Sequence, residues 1–285
     1  MYTEKEVREI FDEYLTTDIT IKEIYRKYHS CLNRLFKEYG CTERKTFRKK
    51  RNSNNYEILW DASEITNEME AYIVGLWMAD GTISDSQAKL KLKAGESELE
   101  LLESLKNYII PDQEIQYERN KTQAKLVISS TEFVNNLENL GVLRGKTYKM
   151  MEIPEMKESL LRHFIRGYFD GDGTVFQDRN YLKANICSID EKILIKMQSI
   201  IEDQGINTRI NCEIKEGKEY VCFDKVTSNT KNMFRLYITQ QNSILKLRDY
   251  LYKDATIFLI RKKEKFFTDN TEVNESFKRA RHRNA

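Results

Sequence analysis

The 285-residue sequence has no apolar run near the roughly 20 residues that a bilayer-spanning helix needs. Its start, MYTEKEVREI, is charged from Glu4 on rather than apolar, so neither a membrane anchor nor a secretory leader is expected, and the chain reads as intracellular and non-secreted. The five cysteines, Cys31, Cys41, Cys187, Cys212 and Cys222, are odd in number and form no CxxC pair. That pattern signals neither a disulfide framework nor a zinc knuckle, and leaves buried or incidental thiols. Histidine is scarcer still. His29, His163 and His282 stand at unrelated positions, which argues against a His-ligated metal centre and against a Ser or Cys triad, and none is assigned a role. Charge of one sign is not in excess either: 47 basic against 45 acidic residues leave +2, modest for a chain that would meet a polyanion.

The basic residues are nevertheless clustered. TERKTFRKKR, at 42–51, sets Arg44, Lys45, Arg48, Lys49, Lys50 and Arg51 against Glu43 alone. Further clusters are RKKEK at 261–265 and Lys278, Arg279, Arg281 and Arg283 in the tail. Phosphate is a natural partner for such runs, although a solvated face has the same composition.

Residues 1–41 are expected to form a small all-α segment. Val7, Ile10, Phe11 and Tyr14, then Ile21, Ile24, Tyr25 and Tyr28, then Leu32, Leu35 and Phe36 fall at helical spacing. Thr20 with Glu23 makes a capping box for the second helix, and Gly40 ends the third. Short helices joined tightly in this way resemble a helix-turn-helix, which would present Asn33, Arg34 and Lys37 to a DNA groove; a bundle that contacts protein would show the same spacing. Residues 42–57 read as a basic linker in which Arg48, Lys49, Lys50 and Arg51 would track phosphates. The body then carries one order of elements twice, at 58–152 and 153–270, before a basic tail at 271–285.

The repeat is anchored by AYIVGLWMADGT and HFIRGYFDGDGT. In the first, Ala71, Gly75 and Ala79 lie four apart on one helix face; in the second, Gly167 and Gly171 repeat the device. Glycine inside a helix costs about 1 kcal/mol relative to alanine, so a stripe of it implies that a second backbone comes close, and the other such helix is the natural partner. Both helices are expected to stop at Asp-Gly, with Gly81 and Gly173 in the left-handed conformation. Asp80 and Asp172 would then sit at negative helix ends, close to each other. A divalent cation relieves both conflicts, and oxygen ligands from Asp80, Asp172 and the Ala79 and Gly171 carbonyls suit Mg²⁺. A single such Asp-Gly-Thr would be no more than a helix stop before a strand; two, each after a glycine-lined helix, say more.

IVGLWMADG at 73–81 and IRGYFDGDG at 165–173 resemble the two copies of the motif that names the LAGLIDADG homing endonucleases, and the resemblance spans most of residues 65–267. It implies an α+β fold: two tandem αββαββα repeats form a pseudo-two-fold unit with saddle-shaped antiparallel sheets. It implies a site-specific, divalent-metal-dependent endonuclease that breaks both strands of a long DNA target, acting as a monomer without an obligate protein partner. Mg²⁺ is the expected metal; Mn²⁺ would substitute, and Ca²⁺ would bind without supporting cleavage. The last acid of each motif, Asp80 and Asp172, would bind metal at the scissile phosphates. Met78 departs from the motif where Asp170 keeps its earlier acid. The resemblance also implies a basic residue late in each repeat, for which Lys146 in LRGKTYK and Lys262 in FLIRKKEKF are the candidates. The two segments align only with a gap, which leaves Lys149, Arg261 and Lys263 as alternatives. Non-catalytic relatives are the competing reading: a DNA-binding transcription regulator or an intron RNA maturase of the same fold. No terminal Cys or Asn pattern suggests an intein.

Period-two alternation supplies the sheets with one polar and one apolar face. Lys89, Lys91 and Lys93 oppose Leu90 and Leu92; Lys183 and Asn185 oppose Leu182, Ala184 and Ile186. Arg209, Asn211, Glu213 and Lys215 oppose Ile210, Cys212 and Ile214, and Arg235, Tyr237 and Thr239 oppose Leu236 and Ile238. Any solvent-facing sheet alternates. Next to the paired motifs, these polar faces are expected to contact base edges and phosphates of double-stranded DNA.

Overall fold

The computed structural model describes residues 2–16, 24, 27–28, 32–41, 56–145, 151–179, 181–222, 225–228 and 230–267. The chain divides into two compact units, Met1–Tyr56 and Glu57–Ala285.

In the first unit, helix α1 spans Glu4–Thr16 and α2 spans Leu32–Glu38. A capping box starts α1: the Thr3 amide donates to Glu6 Oε2 at 2.7 Å and the Glu6 amide reaches Thr3 Oγ1 at 3.4 Å. Gly40, at φ +69°, ends α2 as its position suggests, and the Cys41 amide donates back to Phe36 O at 2.7 Å. The apolar faces meet in a core of Val7, Ile10, Phe11, Ile24, Leu32 and Phe36, with the Phe11 and Phe36 rings edge-on at 4.9 Å. Thr20 and Glu23 lie outside the described residues, as do the side chains of Arg34 and Lys37 and the whole run Arg48 to Arg51.

The second unit begins its regular structure with α3 (Glu68–Asp80), followed by β1 (Gly81–Ile83), β2 (Ala88–Lys93), α4 (Glu96–Ile109), β3 (Gln116–Tyr117), β4 (Gln123–Ile128) and α5 (Thr131–Asn139). The order then recurs as α6 (Glu158–Asp172), β5 (Gly173–Asp178), β6 (Tyr181–Ser188), α7 (Glu191–Asp203), β7 (Arg209–Ile214), β10 (Met233–Ile238) and α8 (Gln241–Tyr252). A hairpin of β8 (Glu219–Cys222) and β9 (Lys225–Ser228) is inserted between β7 and β10, and α9 (Ile260–Lys265) follows α8. The two four-stranded sheets run β1-β2-β4-β3 and β5-β6-β10-β7, antiparallel throughout. The hairpin aside, these are one topology used twice.

Helix α3 is buried from Glu70 to Ala79 on every side, as an apolar helix between two layers must be. Its start is fixed by Asn67, whose Oδ1 accepts from the Glu70 amide at 3.2 Å, and by Glu70 Oε2, which takes the Thr66 amide at 2.6 Å. The ends of α3 and α6 differ from the expectation. Gly81 (φ −75°, ψ 155°) and Gly173 (φ −81°, ψ 160°) are extended rather than left-handed, because the chain passes from helix straight into strand. Glycine is required there for space: a Cβ on Gly81 would lie 2.2 Å from the Trp77 ring, and one on Gly173 2.4 Å from the Phe169 ring.

Candidate active site

The glycine stripes let α3 and α6 touch backbone to backbone. A Cβ on Gly75 would fall 2.1 Å from Phe164 O, and one on Gly167 would fall 2.0 Å from Tyr72 O. Further along, a Cβ on Gly171 would meet the Ala79 Cβ at 2.3 Å and Asp80 Oδ2 at 3.3 Å. The Asp80 carboxylate therefore lies over the last turn of the other helix. Ala71 is fully buried, Ala79 nearly so, and Asp80 and Asp172 are half-buried.

Lys262, on α9, enters the same place. Its side chain is 5% exposed, and Nζ donates to Phe169 O and Gly171 O, both at 2.8 Å. An ammonium on the last carbonyls of a helix complements the helix dipole, and Phe169 O accepts the Gly173 amide as well. Burial lowers Lys262 to about 8, against the pull of Asp170, Asp80 and Asp172. One buried cation thus feels both motif acids. The neighbouring basic residues point elsewhere: Arg261 Nε bonds Glu98 Oε1 at 2.5 Å, and Lys263 Nζ sits 3.7 Å over the Phe258 ring. Lys146 and Lys149 lie outside the described residues.

Behind the helix ends lies a buried polar network in the second repeat. Asp170 is 2% exposed; its Oδ2 accepts from Tyr72 Oη at 2.8 Å and the Leu259 amide at 2.7 Å, and its Oδ1 from Tyr252 Oη at 2.6 Å. Burial pushes this carboxyl above its ordinary value, against those three donors and Lys262. Arg166 is fully buried and donates to Ile257 O and Leu251 O at 2.9 Å and to Glu68 Oε1 at 2.7 Å, while its Nη1 is 2.8 Å from His163 Nδ1. His163 thus has a structural place that the sequence reading left blank. The visible clues are a guanidinium directly before a motif glycine and an acid kept at 170 but not at 78.

Residues 159–252 match a family model described as a LAGLIDADG-like domain. Residues 159–252 thus carry a LAGLIDADG-like domain. Over 180 residues it is 24% identical to the replication factor C small subunit of Methanocaldococcus jannaschii, covering 62% of this chain and 9% of that protein. It is 28% identical over 214 residues to the tRNA-splicing ligase RtcB of Pyrococcus furiosus, covering 64% and 20%. The chain thus spans a fifth or less of these relatives, whose unlike names do not bear on its own activity. Among solved structures it is similar to a K262A mutant of I-SmaMI (TM-score 0.47, 12% identity, 74% of this chain and 92% of that one). It is similar also to a mesophilic variant of the homing endonuclease I-DmoI (0.44, 15%, 67% and 97%) and to the N-terminal LAGLIDADG domain of DUF199/WhiA (0.41, 18%, 67% and 88%).

The second sheet carries a groove of about 560 Å³, lined by Phe176, Lys183, Arg209, Asn211, Glu213 and Tyr237 among others. The predicted face of β6, β7 and β10 is thus assembled, with Tyr237 Oη donating to Glu213 Oε1 at 2.6 Å. Three expected contacts fall differently. Asn185 is only 2% exposed and its Oδ1 has no hydrogen-bond partner among the described residues, since Thr174 and Tyr237 flank it in the ladder. Arg235 is half-buried with Nε likewise unpartnered, and pairs in register with Cys187, whose Sγ donates to Asp172 O at 3.2 Å. Lys215 lies beyond the end of β7, in a turn where the Lys218 amide bonds its carbonyl. In the first repeat, Lys89, Lys91 and Lys93 alternate with buried Ala88, Leu90 and Leu92, and Lys91 Nζ reaches Glu118 at 3.3 Å. No helix among the described residues is long and apolar enough to cross a membrane.

Proposed function

We propose that the chain is a site-specific homing endonuclease that breaks both strands of a long DNA target by metal-dependent phosphodiester hydrolysis. The observation that carries this reading is that each of two backbone-packed helices ends in a motif acid, Asp80 or Asp172, in the field of one buried ammonium. A DNA-binding scaffold alone has no electrostatic reason to keep two carboxylates where phosphates would pass.

The donor set fits a hard divalent cation: Asp80 and Asp172 supply charged oxygens, and the Ala79 carbonyl a neutral one. Gly171 fits less well than expected, since its carbonyl already accepts from Lys262. Bound there, Mg²⁺ would supply an activated water and charge neutralisation at phosphorus. Asp80 and Asp172 would hold it. Lys262 offsets negative charge developing at the reacting phosphate, while Phe169 O and Gly171 O fix its direction. Lys183, Arg209, Asn211 and Tyr237 hold the duplex in the groove, with Lys89, Lys91 and Lys93 as their counterparts in the first repeat. Residues 1–41 add a helix-turn-helix-like contact, and the chain acts as a monomer.

The test is a plasmid carrying the uninterrupted host locus, incubated with Mg²⁺. Linear product is expected from the native chain. Asp80→Asn and Asp172→Asn are each expected to abolish double-strand cleavage while binding persists in Ca²⁺. Cutting by either variant would remove that acid from the chemistry, and binding without cutting at any metal concentration would shift the reading to a regulator.

A further inference from the structure

The two repeats are not equivalent beneath their acids. Asp170 and Met78 occupy the same place in the two motifs, two residues before Asp172 and Asp80. In the first repeat Met78 lines a cavity of about 250 Å³ with Met151 and Met233, and a Cβ on Gly141 would touch its Cε at 2.9 Å. In the second repeat Asp170 takes the Leu259 amide and the Tyr252 hydroxyl. Leu259 is the N-cap of α9, one turn before Lys262, and the Lys262 amide itself bonds Leu259 O at 3.0 Å. The path from Asp170 to the ammonium is therefore one backbone hydrogen bond and one helical turn.

We propose that Asp170 is a positioning residue: it holds the start of α9 against α6 so that the Lys262 ammonium stays on the helix-end carbonyls beside Asp80 and Asp172. Two observations carry this. The Leu259 amide, which opens α9, is spent on a carboxylate rather than left to water. The anchor is also doubled, since Arg166 holds Ile257 O two residues upstream. Tyr72 brings the other motif helix into the same bond set, because its hydroxyl shares Oδ2 with Leu259. The lysine of the second repeat thereby depends on a buried carboxylate that the first repeat replaces with sulfur. The functional consequence rests on the nuclease reading above; the positioning itself does not.

The experiment has two arms. Chain labelled with ¹⁵N-lysine is examined at low temperature for a side-chain ammonium cross-peak protected from exchange, assigned by its loss in Lys262→Met. The protected peak is expected to vanish in Asp170→Met and to survive in Tyr252→Phe, which removes one donor but leaves the Leu259 contact. Asp170→Asn, which keeps an acceptor for Leu259, serves if Asp170→Met does not fold, and is expected to retain the peak with at least tenfold faster exchange. A peak unchanged in folded Asp170→Met and Asp170→Asn overturns the proposal, whether or not the chain cuts DNA. The second arm times each strand of the host-locus plasmid separately. Asp170→Met or Asp170→Asn is expected to slow one strand at least tenfold more than the other, so that nicked circles accumulate. A merely structural loss would slow both strands alike and weaken binding in Ca²⁺ with them, and that result also overturns the proposal.

Discussion

Gly75 and Gly167 are reciprocal: each turns its missing side chain to the partner helix's backbone, Gly75 to Phe164 O and Gly167 to Tyr72 O. A methyl group at either position would overlap a carbonyl that belongs to a helix and has nowhere to go. Gly75→Ala or Gly167→Ala is expected to lower stability by about 3 kcal/mol, the upper end of the usual overpacking cost, although alanine is the better helix former. Urea unfolding monitored by circular dichroism reads this directly, and a neutral or stabilising effect would contradict the close approach.

Arg166 joins four partners at zero exposure. Arg166→Met would leave the Leu251 and Ile257 carbonyls and Glu68 without their donor, so a loss of about 3–5 kcal/mol is expected, as for breaking a buried pair from one side. Restoring the loss with Glu68→Gln in the same chain should recover part of it. The double-mutant cycle measures how much belongs to the pair.

Acid should weaken the fold before its carboxylates titrate. Burial, then Arg166 and Arg162, lower His163 from 6.5 to about 4, with Glu68 opposing. Above pH 6.5 neither folded nor unfolded chain protonates this ring. Between 6.5 and about 4 only the unfolded chain takes the proton, so it binds more protons and stability falls as pH falls. Burial raises Glu68, but the Thr256 amide and Arg166 outweigh it and hold it below its ordinary value. Its contribution is present above pH 4.5 and is lost only under stronger acid. His163→Gln, which keeps an acceptor for Arg166, should flatten the Tm-versus-pH curve between 6.5 and 4. An unchanged slope would place the acid sensitivity elsewhere.

Lys183 and Arg209 line the groove of the second sheet from neighbouring rows. Alanine at either is expected to weaken DNA binding in Ca²⁺ by about 1–3 kcal/mol if it contacts a base, and to reduce the salt dependence by about one ion if it contacts a phosphate. Filter-binding titrations at several salt concentrations separate the two.

The paired motifs, the repeat of element order and the period-two strands were all legible, because each is a local pattern whose meaning depends on neighbours within one or two turns. Lys262 is a candidate only through family resemblance, with Arg261 and Lys263 as alternatives, and of the three it alone is buried. The Asp170 and Arg166 bonds join residues far apart along the chain, and no periodicity encodes a partner some ninety positions away. The β8–β9 hairpin has no such signature, since Tyr220 to Phe223 form an apolar run without the alternation of β7. In sequence the glycines after each motif acid look like left-handed helix caps, whereas a ring packed against the backbone is what selects them.

Gly81 and Gly173 have a mechanical consequence. Each motif acid is joined to the first strand of its sheet by a single peptide bond, with no loop between. A surface that flexes to accept a ligand cannot then leave the acids behind: any tilt of β1 against β5 alters the gap between Asp80 and Asp172. Fit along the strands and spacing of the carboxylates become one variable, and under the proposed function a poorly matched duplex would register as a misplaced pair of charges.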